Sequence, residues 1–299
     1  MARAKNVSTI RLTANDRVFN GLVNAFLIAM LVIIAVPLWS TITLSFRPND
    51  YIGTTFQGMF LAPWNWSTAA YKSLLGNNGF LIAFGNSLKI MGFGVVAALF
   101  LTIPLSYVLS IKTLPGRVPL IILILIPHMF DVGIIPNFLM VKDLGLIDKL
   151  AAVFLPTAVN TYNCLIMKGF FEGIPDELKE SARIDGASEA MVLFRIIMPL
   201  SKPIIMTVGL FYAVSFWNDF FHPMLYLNSN HLFPLPILLR NILISSGMNE
   251  FVEVKAFGEA PIQAIKAASV FLAAIPMVIA YPFIQKYFAK GTLLGSVKG

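Results

Sequence analysis

Long apolar runs recur along the chain, separated by shorter segments where charge, proline and glycine collect. About 20 apolar residues in a helix match the roughly 30 Å of hydrocarbon in a bilayer. The pattern therefore predicts six transmembrane helices, at Phe19–Leu44, Phe80–Ile111, Val118–Met140, Leu150–Phe170, Pro203–Leu227 and Ile262–Phe283. Pro37 lies in the first span, and Pro127, Gly133 and Pro136 interrupt the third, as suits a kink beside a pathway or plain helix packing. The expected class is an all-α membrane protein with one six-helix transmembrane domain over 19–283. A polar tail (1–18) precedes it and a basic tail (284–299) follows it. Two loops are large enough to carry function, 171–202 and 228–261. A further polar loop from Arg47 to Gly79 holds Trp64 and Trp66, which suit the membrane interface.

The 171–202 loop breaks the pattern most sharply. Asp176, Glu177, Lys179, Glu180, Arg183, Asp185, Glu189 and Arg195 crowd into one stretch of an otherwise apolar chain. Ile174-Pro175-Asp176-Glu177 reads as a helix start, because proline costs no hydrogen bond in the first turn and acids suit the positive end of the helix dipole. Gly186 then suits a turn that needs a left-handed backbone. Ser188 can cap a second helix, in which Ala190, Leu193, Phe194, Ile197 and Met198 share a face. Pro199 ends or kinks it.

Composition sharpens the class. The chain has 299 residues, 57% of them hydrophobic and only 12% charged, with a mean hydropathy of +0.78. A soluble domain cannot hide that much apolar surface. The net charge of +7 fits basic cytoplasmic loops better than a nucleic-acid partner, since no basic tract is interleaved with aromatics. With the amino terminus inside, 14 of the 22 Lys and Arg residues fall on the cytoplasmic side and 8 outside. The positive-inside rule favours that orientation, with both termini and the 171–202 loop in the cytoplasm. Cys164 is the only cysteine, so no intrachain disulfide forms.

The charged loop resembles the segment by which permease subunits of bacterial ABC importers dock on their ATPase. That pattern runs Glu-Ala-Ala, three residues, Gly, nine residues, Ile, one residue, Leu-Pro. Glu180, Ala182, Gly186, Ile196 and Pro199 match in register, while Ser181 replaces an alanine and Met198 the leucine. Further segments extend the likeness to the second permease subunit of carbohydrate importers related to the maltose permease, in its complex-oligosaccharide branch. They include Ile135-Pro136-Asn-Phe-Leu139, Asp143-Leu-Gly-Leu-Ile147-Asp148, Trp217-Asn218, Tyr281-Pro-Phe and Val297-Lys-Gly299. The resemblance implies a type I importer in the bacterial inner membrane. A second, different permease chain, an ATPase dimer and an extracytoplasmic sugar-binding protein would be its partners. Glu180, Ser181, Ala182, Asp185, Gly186, Ala187, Ile196 and Pro199 would form the ATPase-docking set. Lys290, Gly291, Gly295 and Lys298 in the tail would reach the ATPases, and the 228–261 loop the binding protein. No cofactor is expected on this chain, ATP and Mg belonging to the partner.

Catalytic constellations are missing. The sequence has no Gly-x4-Gly-Lys-Ser/Thr phosphate loop and no His-Glu-x-x-His motif, so the chain is not expected to be an enzyme. Polar residues inside spans are costly and default to pathway candidates. His128 and Asp131 in the third span are spaced to share a helical face. Asn160 and Asn163 lie in the fourth span, and Trp217, Asn218, Asp219 and His222 in the fifth, with Asp219 and His222 spaced to pair. Helix–helix adhesion is the alternative role for each. An ion-coupled secondary transporter, or an ABC permease for a non-sugar solute, are the rival readings of the whole. The first leaves the docking stretch unexplained, and the Trp217-Asn218 stretch and Lys-Gly tail speak against the second.

Overall fold

The computed structural model describes residues 14–48, 63–130, 132–245 and 260–295, by backbone alone at 14, 245 and 283–295. Every regular element among them is helical. Helix α1 (Ala14–Ser45) is followed by a short α2 (Ala69–Leu75) and a long α3 (Asn78–Ser110). The third predicted span is two helices, α4 (Arg117–Met129) and α5 (Ile134–Asp143), and the fourth is also divided, into α6 (Ala151–Phe154) and α7 (Thr161–Glu172). The charged loop holds α8 (Asp176–Ile184) and α9 (Glu189–Leu200). The fifth span comprises α10 (Lys202–Asn218) and a short α11 (Phe221–Tyr226); α12 (Leu235–Ser245) and α13 (Ile262–Gly295) complete the chain.

Three helical stretches are long and apolar enough to cross a membrane among the described residues: Asn15–Ser45, Asn78–Ser110 and Ile262–Pro282. The number rises to five if the bent pairs α4/α5, at 113°, and α9/α10, at 85°, are each one span. These are fewer unbroken spans than the six the sequence predicts, because several of the predicted spans are bent or divided. The breaks have local causes. Phe130 is extended after α4, and Gly133 at φ +84° immediately precedes α5, so the third span cannot run straight. Pro156 follows α6, and Asn160 is extended and caps α7 through its side chain. Two further expectations change. The 228–261 segment is not simply a polar loop, because α12 is an apolar helix inside it. The last helix runs past Phe283 to Gly295, through most of the presumed tail.

The chain forms two compact units, Met1–Lys72 with Glu259–Phe271, and Ser73–Gly258 with Leu272–Gly299. In the first, Phe46 stacks on Trp66 at 4.7 Å, and the Ser45 and Tyr71 hydroxyls bond at 2.7 Å. The body of α1 is apolar all round and exposed, as a helix facing lipid or a partner must be. In the second unit α3 is the central element, packed against α10 and α7. Ile90, Ala98, Tyr107, Met167, Phe171, Val208, Tyr212 and Phe216 are core residues there. Gly94 lets α3 and α10 approach: a Cβ at this position would lie 2.7 Å from a Phe216 ring carbon and 3.1 Å from Phe154 Cβ.

Substituting Gly94→Leu should lower the thermal stability of the purified protein by roughly 1–3 kcal/mol, the usual cost of overpacking. Gly92→Ala, where a Cβ meets nothing within 4 Å, should be tolerated. Equal melting temperatures for the two variants would contradict the close α3–α10 approach.

Candidate functional site

Helix α8 has the charge order its dipole asks for, with Asp176 and Glu177 in the first turn and Arg183 in the last. Pro175 sits one position before the first turn, as its N-cap. The helix ends in a Schellman motif: Gly186 N–H donates to Arg183 O at 3.0 Å and Ala187 N–H to Ala182 O at 2.9 Å. Gly186 takes φ +83°, the left-handed turn its identity predicted. Ala182 and Ala187 are half-buried and pack against the α3–α7–α10 core, supplying the apolar contact that usually accompanies such a cap. Lys179 also points inward, with its ammonium 2.9 Å from Asp176. Glu180, Ser181 and Asp185 are exposed. Ile184 joins them at 86% exposure, an apolar side chain displayed on a charged helix.

Ser188 caps α9 by accepting from Met191 N–H. The expected face is only partly right. Val192, Leu193 and Ile197 are buried, whereas Ala190 and Phe194 are exposed. Residues Leu193–Ile197 form a π turn, and Met198 N–H reaches back five residues to Leu193 O. Pro199 has no N–H to continue the α ladder, and the wider turn rotates the residues beyond it. Ile196 is half-buried and Pro199 exposed. The chain then turns at buried Ser201 into α10.

One carboxylate joins this loop to the transmembrane core. Glu189 Oε1 accepts from Arg183 Nε at 2.7 Å; Oε2 accepts from Arg183 at 3.3 Å and from the Tyr107 hydroxyl at 2.6 Å. Its carboxyl is held below the ordinary glutamate value, first by Arg183 and then by Tyr107, against a desolvation that acts the other way. A lowered carboxylate stabilises the native state above its unfolded value, and that contribution is lost as pH falls through the lowered one. Nothing in the sequence pattern singled out Tyr107, which lies 82 positions away.

The intramembrane candidates fall into separate places. Asn160 caps α7 by accepting from Asn163 N–H at 3.1 Å, and its own N–H donates to the Tyr212 hydroxyl, which also bonds Thr102 at 2.8 Å. Asn163 is buried. Trp217 is buried as well, edge-on to Phe84, and its indole N–H donates to Ala273 O at 3.0 Å. Asn218 is exposed and bonds Val214 O within its own helix. Asp219 and His222 do pair, at 2.8 Å, but in the turn between α10 and α11, where Asp219 also accepts from His222 N–H. His128 is exposed at the end of α4, which stops at Met129. Asp131 itself lies outside the described residues. Lys290, Gly291 and Gly295 fall on the backbone of α13, and Lys298 lies outside the described residues.

A second set of polar ties escaped the sequence reading. Asp148 accepts from Asn228 N–H, Ser229 N–H and the Ser229 hydroxyl, at 2.6–2.9 Å. Those bonds, the Ser229 hydroxyl first, lower its pKa. Asn86 donates to His231 O, and Ser87 accepts from Leu235 N–H. Together they hold the segment leading into α12. The polar pair Asn86-Ser87 within an apolar run was the available signal.

Residues 113–293 match the model of the binding-protein-dependent transport system inner membrane component family. The chain belongs to that family. This inner membrane component is 40% identical over 286 residues to the polygalacturonan/rhamnogalacturonan transport system permease protein YtcP of Bacillus subtilis, covering 95% of this chain and 99% of that one. It is 40% identical to the B. subtilis protein LplC, over 98% and 99% of the two chains. Among solved structures it resembles a chain of a bacterial ABC transporter involved in the import of the acidic polysaccharide alginate. The TM-score is 0.83 at 30% identity, covering 94% of this chain and 100% of that chain. The permease is therefore a multi-pass membrane protein with the fold of an ABC importer subunit.

If Asn160 serves this permease as a helix cap, Asn160→Ala should cost about 0.5–2 kcal/mol of stability and leave the apparent KM for transport unchanged. A raised KM with unchanged melting behaviour would instead make it a ligand.

Proposed function

We propose that this permease forms half of the translocation pathway of an ATP-driven, binding-protein-dependent importer of oligosaccharides, with uronic-acid oligomers as its cargo. The observation that carries the ATP-coupled part is the 176–199 loop. It presents a capped helix whose inner face is anchored by Ala182 and Ala187 while Glu180, Ser181, Asp185 and Ile184 face outward. Such a helix suits a cleft on an ATPase subunit, and ATP and Mg bind there rather than on this chain. The loop is cytoplasmic, as are both termini, and the bent and divided helices complete six membrane passes. A second, different permease supplies the other half of the pathway. The binding protein delivers cargo from outside, and the end of α13 with the residues after it reaches toward the ATPases.

Support for an acidic cargo comes from two relatives of different kinds. Polygalacturonan and alginate are both uronate polymers, and the proteins named for them match nearly the whole chain. An ion-coupled transporter would have no use for the docking loop.

The test is ATPase activity of the reconstituted complex with its binding protein. Oligogalacturonides should stimulate hydrolysis more than neutral arabino-oligosaccharides do; the reverse order would overturn the acidic assignment. Gly186→Pro cannot adopt φ +83° and removes the N–H that bonds Arg183 O, so it should abolish assembly or stimulation. A variant that assembles and responds like wild type would refute the docking assignment.

A further inference from the structure

We infer that Glu189 is the positioning residue that hands movement of the docking helix to the transmembrane core, with Tyr107 and Arg183 as its two partners. The inference rests on the importer reading above and adds the element through which the coupling runs.

The geometry is specific. Tyr107 lies near the end of α3, the helix at the centre of the larger unit, and is 3% exposed. Its hydroxyl leaves the core to meet Glu189 Oε2. Glu189 is the first residue of α9, directly after the Ser188 cap. Arg183 is in the last turn of α8 and approaches both carboxylate oxygens. One carboxylate therefore joins a transmembrane helix, the docking helix and the helix that leads into α10. The other ion pair of the docking helix, Lys179–Asp176, is internal to it. Among the described residues, the Glu189 network is the only side-chain polar link from the α8–α9 turn to the transmembrane core.

Besides the inward-pointing Lys179, the remaining anchors of α8 and its turn are the methyl groups of Ala182 and Ala187. Apolar contacts are non-directional and permit sliding or rolling. A forked, charge-assisted contact fixes direction as well as distance. A force applied to Ile184 and its neighbours would rotate α8 over the two alanines unless the Arg183–Glu189 fork held the helix end in register. Tyr107 ties that fork to α3, which packs along α10. Displacement of the docking helix is thereby passed on to α3.

The experiment uses the complete complex in liposomes, with partner permease, ATPase subunits and binding protein, and oligogalacturonides as the probe. The readout is sugar accumulated per ATP hydrolysed, in complexes purified intact. Tyr107→Phe removes one hydroxyl and leaves the Arg183–Glu189 pair. Glu189→Gln removes the charge and leaves an acceptor for Tyr107. Each should lower the ratio about fivefold or more, the low end of measured site-to-site couplings. The double variant should be no worse than the poorer single one, because both act in one chain of contacts. Exchanging the pair, Arg183→Glu with Glu189→Arg, should recover part of the loss. A purely structural role would reduce the yield of intact complex and leave the ratio alone. If Glu189→Gln fails to assemble, Tyr107→Phe decides. An unchanged ratio in Tyr107→Phe, with wild type normally stimulated by sugar, overturns this inference alone. Wild type showing no sugar-stimulated hydrolysis overturns the importer reading and the inference with it.

Discussion

A backbone amide or carbonyl has no water to turn to inside a bilayer, and that constraint governs this structure. Unbroken helices satisfy it internally; broken ones must find substitutes or be buried in protein. The chain breaks its helices repeatedly, and at several of the breaks a side chain stands in. Asn160 caps α7, and the Tyr212 hydroxyl takes the Asn160 N–H. Thr161 donates its hydroxyl to Ile124 O in α4. At the end of α3, Arg117 Nε donates to Leu109 O, while the same guanidinium pairs with Glu172, which Lys168 also meets at 2.9 Å. Trp217 donates to Ala273 O. These bonds tie elements distant in sequence, so satisfying the backbone and assembling the bundle are largely the same act.

The same constraint explains which parts of the fold were legible in the sequence. Apolar runs at Asn15–Ser45, Asn78–Ser110 and Ile262–Pro282 are uninterrupted, and hydropathy alone located them. In the third and fourth spans hydropathy stayed high while the helix stopped, because a broken segment inside protein remains apolar. Gly133 and the prolines were visible there, but a kink and a full break of 113° look alike in sequence. Helix α12 was hidden for the opposite reason: eleven residues are too short to register as a span. Boundaries set by local chemistry fared better. Gly186 and Ser188 do what their identities require, since a left-handed turn and a side-chain cap depend on few neighbours.

The candidate polar residues divide along the same line. Asp219 and His222 meet because they are three apart, which the sequence displayed. Trp217 and Asn160 were visible as polar groups among apolar ones, yet their partners, Ala273 O and Asn163 N–H, show adhesion and capping. Polarity in a span marks a group that must be satisfied and leaves open by what. Tyr107 and Glu189 carried no such mark, one being an ordinary aromatic in a long helix and the other one charge among many in the loop. Their contact is a property of the tertiary structure alone.

Helices α8 and α9 differ in how they are held, and the difference has a mechanical sense. The α8 end is over-determined by a Schellman cap, two alanine contacts and a forked ion pair. The α9 end is held by burial instead, with Val192, Leu193 and Ile197 in the core. Its ladder widens into a π turn before Pro199, and it bends 85° into α10 at Ser201. The Ser201 hydroxyl is buried without a partner among the described residues, and an unpaired buried hydroxyl costs about 1–3 kcal/mol. On the inference drawn above, load entering through the exposed face of α8 would reach α3 through Glu189, whereas the path through α9 would first cross the π turn and the 85° bend at Ser201.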